Sequence, residues 1–393
     1  MKKNINLYSL SALKLGLMTV IALAFLLGVN QSRAAVGDIF TDYNFKYTVL
    51  SEEGTVGTVS VAKQSTAIPS GAVVIPDAVN QGPVTYSVTD IGNSAFQNCR
   101  SLTSAVMGSG VTSIGGLAFY DCSALTDIMI PDSVTSIGNH TFHNCSSLTS
   151  ITIPDSVTSI GYGAFYECTG LTDITIPDSV TSIETRTFLG CRSLMSAVIG
   201  SGVTSIGGYA FYGCTGLTYI TISDSVTSIG NHTFHNCSSL TSVVIGSGVT
   251  SIGGYAFYGC SSLVSVNLPE DVNYIGYDAF NGCNNLESAY FKGDAPELGE
   301  EVFDSDPILY YSAGASGWTT PTWNGYRTAT WVPEEPPVMN FEVKEGKLIL
   351  TFSGGNLEAS SDLILWSPVE GALGGKYEVE LPATGKLFYR VAR

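Results

Sequence analysis

Charge is scarce in this sequence, and positive charge scarcer still. Only 13% of residues are charged, and 17 Lys and Arg stand against 34 Asp and Glu, a formal net charge of −17. Nucleic acids and anionic membrane surfaces both reward clustered Lys and Arg, so neither is an expected partner. Histidine is rarer: there are four, and all fall in two copies of NHTFHNCSSLTS, at 139–150 and 231–242. No G-x-S-x-G elbow, H-E-x-x-H helix or Gly-rich phosphate loop after a strand occurs, so no catalytic activity and no cofactor is expected. Long apolar runs are missing too. The single candidate, Leu15–Val29, is too short for a comfortable membrane span. It follows a basic start (Lys2, Lys3, Lys14) and precedes small residues at Ser32 and Ala34, which fits a signal peptide over 1–34 cut after Ala34. No cysteine follows the cut to carry a lipid anchor. Export, with no membrane insertion after signal removal, is therefore expected. Losing Lys2, Lys3, Lys14 and Arg33 and no acid moves the formal charge from −17 to −21.

What the chain has instead is repetition. Its nine cysteines fall at 99, 122, 145, 168, 191, 214, 237, 260 and 283, a constant step of 23. Phe96 through Phe280, Leu102 through Leu286 and Ile91 through Ile275 keep the same step. A further strand begins the series at 72–76 (AVVIP), followed by a stretched turn, DAVNQGPVTYSVTD. A step of this length lies in the leucine-rich-repeat range, with one short strand and one irregular arc per coil stacked into a solenoid. Within LTSITIP (148–154), alternation turns Leu148, Ile151 and Ile153 inward and Ser150 and Thr152 outward. Each coil buries about six apolar side chains at roughly 1.5–3 kcal/mol each. Ordering costs about 1–2 kcal/mol per residue, so stability must belong to the array.

This frame assigns the cysteines and histidines structural places. Equivalent positions in adjacent coils lie about 4.8 Å apart with parallel Cβ vectors, whereas a disulfide needs Cβ atoms near 3.8 Å that face each other. A ladder of buried thiols is the expectation. His140 and His232 share a column with Leu117, Tyr209 and Tyr255; His143 and His235 share one with Tyr120, Tyr166, Tyr212 and Tyr258. A zinc site needs three or four convergent ligands, so stacking against tyrosines is expected and metal binding is not.

The signature SVTSIGNHTFHNCSSLTSITIP at 133–154 resembles the BspA-like leucine-rich repeats of bacterial and protist surface proteins, over about 70–331. Ser133, Ser156, Ser179 and Gly202 stand where the commonest leucine-rich repeats place Asn, as in that subgroup. The resemblance implies a secreted or surface-exposed binding protein, in some members an adhesin for host matrix proteins, and supplies no catalytic residues.

The expected organisation is a signal peptide (1–34), an N-terminal hairpin cap (35–66) with strands around SEEG, repeats over 67–331 ending in an atypical cap from about 292, a Pro-rich linker (332–337) and a small all-β domain (338–393). In the repeat cap, Val302-Phe303 replaces Ala-Phe, and the acids from Asp294 to Asp306 lack the remaining spacing of a calcium loop. In the last domain a hairpin turns at Glu345-Gly346, with Trp366 and Phe388 as core anchors. Leu381-Pro-Ala-Thr-Gly385 matches a sortase pattern, but only KLFYRVAR follows it, so a turn is expected.

The expected ligand surface is the outward strand face, in two columns. The first includes Asp127, Asp173 and Tyr219 among serines. The second includes Met129, Thr152, Thr175, Val198, Thr221, Val244, Asn267 and Tyr290. The face is hydroxyl-rich and nearly uncharged, suited to a protein ligand such as a host matrix or envelope protein, or to a polysaccharide. All four tryptophans (Trp318, Trp323, Trp331, Trp366) lie outside the regular coils, which favours the protein ligand. A monomer is expected.

Overall fold

A computed structural model of the chain describes residues 34–42, 45–64 and 69–331 in full, and the backbone of several strands between 339 and 392. Most of the expected signal peptide, the linker 332–337, Glu345-Gly346, Trp366 and Leu381–Gly385 lie outside the described residues.

The array is a stack of coils, each built from three sides. The first side carries a strand of three to five residues, the second a two-residue strand, and the third the A-F-x-x-C arc, which is not a helix. On the strand face, β4 (Gly71–Val74), β7 (Leu102–Val106) and β9 (Asp127–Met129) pair in parallel. Beyond them, β12 (Asp173–Ile176) heads a second parallel sheet through Ser196–Ile199, Tyr219–Ile222, Ser242–Ile245, Ser265–Leu268 and Ser288–Phe291. At the N-terminus, β1 (Ile39–Thr41), β2 (Phe45–Glu53) and β3 (Val56–Lys63) run antiparallel, and β3 pairs in parallel with β6 (Val84–Ile91). The stretched turn is a second hairpin, β5 (Ala78–Gln81) against β6. The second side continues from β6 through β8 (Ser113–Ile114), β10 (Ser136–Ile137) and β11 (Ser159–Ile160).

The arc explains two columns of the repeat. Each arc holds two residues with left-handed backbone, such as Leu117 and Asp121 (φ 59° and 58°) or His232 and Asn236 (φ 57° and 58°). At the second position the sequence supplies Asn98, Asn144, Asn236, Gly190, Gly213, Gly259 and Gly282, residues for which this conformation costs least, with Asp121 and Glu167 as the exceptions. The arcs are joined coil to coil by backbone bonds such as Phe142 N–H to Ala164 O (2.8 Å) and Asn144 N–H to Tyr166 O (2.8 Å).

Inside, Phe96 through Phe303 form one stack with centroid spacings of 5.1–5.6 Å. All nine cysteines are buried and unbridged. From Cys122 onward each Sγ–H donates to the carbonyl of the phenylalanine 26 residues earlier, as Cys168 does to Phe142 (3.0 Å). The turn serines also have work: Ser133, Ser156, Ser179 and Ser225 donate to the preceding coil's valine carbonyl at 2.5–2.7 Å.

The expected continuity of the strand face fails at one place. Ser150–Ile153 carries no strand, although Ile151 and Ile153 are buried and Thr152 exposed as the alternation requires. The second side breaks beside it: β11 does not pair with β13 (Ser182–Ile183), which starts its own sheet. The second-side break falls at Glu184. Along this column stand Gly92, Gly115, Gly138, Gly161, Gly207, Gly230, Gly253, Gly276 and Gly299. A Cβ on Gly161 would lie 2.6 Å from the backbone N of Asn139, and one on Gly207 2.7 Å from that of Thr185. Only glycine permits the close approach, and Glu184 has the Cβ. The regular bonds of this column, such as Gly161 N–H to Ile137 O (2.9 Å) and Gly207 N–H to Ile183 O (2.8 Å), skip the step from Ile160 to Glu184 among the described residues. The arc stays joined there, through Phe165 N–H to Thr187 O (2.9 Å).

The residues up to Tyr310 together with Ala315–Ala329 form one compact unit, and Tyr311–Gly314 with Thr330–Arg393 a second. Within the second, Met339–Lys344, Lys347–Phe352 and Lys376–Glu380 pair antiparallel, as do Asn356–Ser360 and Phe388–Ala392.

Candidate functional site

The expected ligand columns lie on the strand face, and their parallel register brings them into lines: Asp173, Ser196, Tyr219 and Ser242 in one, Thr175, Val198, Thr221 and Val244 in the next. Asp127, Met129, Thr152, Asp173, Thr175, Val198, Tyr219, Thr221, Val244 and Asn267 are exposed. Two departures matter. Thr152 sits in the strandless coil between the two sheets, so Asp127 and Met129 belong to one sheet and the residues from Asp173 onward to another. Tyr290 is only half exposed, because Tyr310 stacks on it at 5.0 Å with ring planes 12° apart. Tyr310, which follows the last regular coil, covers that end of the column.

A third outward column precedes the other two: Thr103, Thr126, Thr149, Thr172, Met195, Thr218, Thr241, Val264 and Glu287. Sequence alternation misses it because two outward residues stand side by side at the start of each strand. Its threonines are partly spent, since Thr126, Thr172, Thr218 and Thr241 donate to the carbonyl 23 residues earlier at 3.0–3.3 Å. Met195 and Val264 have no such task.

The three columns together define an apolar cluster. Met195, Val198, Tyr219, Val244 and Val264 keep 45–58% of their surface exposed, across four consecutive coils. Between Asp173 and Glu287 none of the three columns carries a charge. Tyr219 is held in place: its hydroxyl accepts a hydrogen bond from Thr221 Oγ1 at 2.7 Å. Exposed apolar side chains are ordinary when scattered singly; here five share one uncharged face among hydroxyls, a composition suited to a contact surface. A rigid tyrosine at its centre is the kind of side chain on which binding energy concentrates.

The histidines lie on the arc. His232 is stacked between Tyr209 (4.5 Å) and Tyr255 (4.7 Å), and His235 between Tyr212 (4.7 Å) and Tyr258 (4.6 Å). His143 lies between Tyr120 and Tyr166. Within each pair the Nδ1 atoms are hydrogen-bonded, at 3.2 Å for His140 and His143 and 3.3 Å for His232 and His235. Burial, reinforced by the neighbouring histidine, pushes His143 and His235 down to about 4. Among the described residues no group of three or more His, Cys, Asp or Glu could hold a metal ion. Of the acids near the last coil, Asp306 pairs with Arg327 (3.1 Å) and Asp294 accepts from Ser316 N–H (2.6 Å).

The profile of the BspA type leucine rich repeat region matches residues 80–195 and 181–309 in six copies. The chain belongs to this family. Among solved structures, the chain is similar to a leucine rich cell surface protein of Faecalibacterium prausnitzii, at 26% identity, covering 75% of this chain and 99% of that one with a TM-score of 0.43. It is also similar to the leucine rich repeat protein of T. pallidum, at 26% identity, covering 57% of this chain and 91% of that one with a TM-score of 0.41. A third is the pneumococcal vaccine antigen PcpA, at 19% identity, covering 71% of this chain and 88% of that one with a TM-score of 0.43. No curated protein matches the chain. Among the described residues no helix is long and apolar enough to cross a membrane.

Proposed function

We propose that the chain is an exported, surface-displayed interaction protein that binds a protein ligand on its strand face, in the manner of an adhesin and without catalysis. The observation that carries this reading is the uncharged cluster of Met195, Val198, Tyr219, Val244 and Val264 on a rigid parallel sheet. A protein partner can cover such a surface without desolvating charges, the step that most often erodes binding energy. Membership of a surface-protein repeat family, an acidic chain and the signal-like start agree with it.

The test is an array of extracellular-matrix and envelope proteins probed with the 35–393 chain at physiological salt. Binding to a protein spot that disappears with Val198→Ser, Tyr219→Ala and Val244→Ser combined supports the reading. Capture that survives these changes places the contact elsewhere and rejects it.

A further inference from the structure

The break at Glu184 does more than interrupt a ladder. A groove of about 730 Å³ ends at this break and runs along the corner between the second side and the arc, a side of the coil distinct from the strand face. That volume lies within the range of about 300–1,000 Å³ usual for small-ligand sites. Its walls are Ser136, Thr158, Ser159, Thr181 and Ser182 on one side and Asn93, Asn139 and Tyr162 on the other, with Gly116, Gly138 and Gly161 between and Glu184 at the end. Because the coils advance by about 4.8 Å each, the groove is elongated along the array.

Part of its hydrogen-bonding capacity is left over by the broken ladder. In the neighbouring step Thr204 donates to Thr181 O both from its backbone N–H (2.9 Å) and from Oγ1 (3.1 Å). Thr181 makes neither bond to Thr158, so among the described residues the carbonyls of Thr158 and Ile160 receive no donor from the next coil. Asn93 and Asn139 use Oδ1 to accept from Gly116 N–H (2.8 Å) and Tyr162 N–H (2.9 Å), leaving their amide NH2 groups as donors. Ser182 Oγ donates to Glu184 Oε1 at 2.7 Å, which fixes the carboxylate at the groove's end. The Arg186 guanidinium donates to the Tyr162 hydroxyl. No lysine or arginine lines the groove itself, so it offers nothing to a phosphate or sulfate.

We infer that this groove is a binding site for a neutral, polyhydroxylated ligand, an oligosaccharide segment lying along the coil stack. Alternating carbonyl acceptors, hydroxyls and amide donors match vicinal hydroxyl groups, which need a donor and an acceptor at each carbon. The carboxylate supplies a charge-assisted acceptor for one of them, and Tyr162 supplies an aromatic edge. The site is independent of the protein ligand assigned to the strand face.

Glu184→Gly provides the test, since it restores the column's glycine and lets the coils close. A panel of neutral oligosaccharides should contain at least one that binds the 35–393 chain, with affinity measured by calorimetry. Glu184→Gly should weaken that binding at least tenfold while raising thermal stability. Ser159→Ala with Ser182→Ala should weaken it severalfold with the fold intact. The strand-face variant Val198→Ser/Tyr219→Ala/Val244→Ser should bind the oligosaccharide as the parent does. Failure of every neutral oligosaccharide to bind overturns the inference, and so does binding that Glu184→Gly leaves unchanged.

Discussion

Single residues explain the two features of the sequence that most resemble chemistry. The cysteines are core residues; burial pushes Cys168 up to about 12 and suppresses its reactive thiolate, whereas the hydrogen bond with Cys122 and the nearby Lys63 bring Cys99 down to about 7. Thiol titration of the unfolded, unreduced protein should return all nine groups, whereas one or two would mean that pairs of them had oxidised to disulfides. The histidines make a pH prediction. His143 and His235 titrate near 4 when folded and near 6.5 when unfolded. Between those values the unfolded chain holds more protons, so stability is complete above about pH 6.5 and falls as pH drops through the window toward 4. Replacing both with tyrosine, the residue of the same column in neighbouring coils, should flatten the decline in Tm over that window; an unchanged decline would assign it to other groups, such as carboxylates or His140 and His232, which burial also lowers. Both readings follow from column positions in the sequence, because a 23-residue period fixes what stands above and below each side chain. Tyr290 was less legible, since its cover, Tyr310, comes from the segment after the last regular coil, where the period no longer fixes neighbours.

At the scale of the coil, the sequence made the strand, the turn and the inward Phe, Leu and Ile columns readable, since alternation and period determine them. Why the array should divide beside Ser150–Ile153 was not readable from hydrophobicity, because Ile151 and Ile153 keep the pattern. The signal was one letter, Glu184 in a column of glycines, and its meaning depends on an approach of under 3 Å between successive backbones. Glu184→Gly should add about two ladder bonds, worth roughly 0.5–1.5 kcal/mol each, against about 0.5–1 kcal/mol for the glycine's extra backbone freedom. The net gain is small, so hydrogen exchange is the sharper measurement. Amide protection at Thr181 and at residue 184 should rise by tenfold or more, and unaltered exchange would mean that something other than the Cβ holds the coils apart. Gly207→Ala is the converse change. Its Cβ would meet Thr185 N at 2.7 Å, and a loss of about 1–3 kcal/mol is expected from the overpacking, measurable as a lower denaturation midpoint.

For the whole molecule, repetition supplies a rigid scaffold, and function lies in departures from it. Most outward positions are Ser or Thr, and the threonines of the third column are partly consumed by the ladder itself. Against that background Met195, Val198, Tyr219, Val244 and Val264 stand out as apolar, exposed and preorganised. Eight of the eleven strand-face residues singled out by pattern alone, Asp127, Met129, Thr152, Asp173, Thr175, Thr221, Asn267 and Tyr290, lie outside this group; Met195 and Val264 enter it only once the register is known. The central claim is that this cluster carries the contact with a protein ligand. Its most direct measurement is the affinity of the 35–393 chain for the protein it captures, with and without Tyr219→Ala. Loss of a buried aromatic anchor should cost about 2 kcal/mol or more, at least a twentyfold weakening with Tm unchanged. An affinity within twofold of the parent would contradict the account.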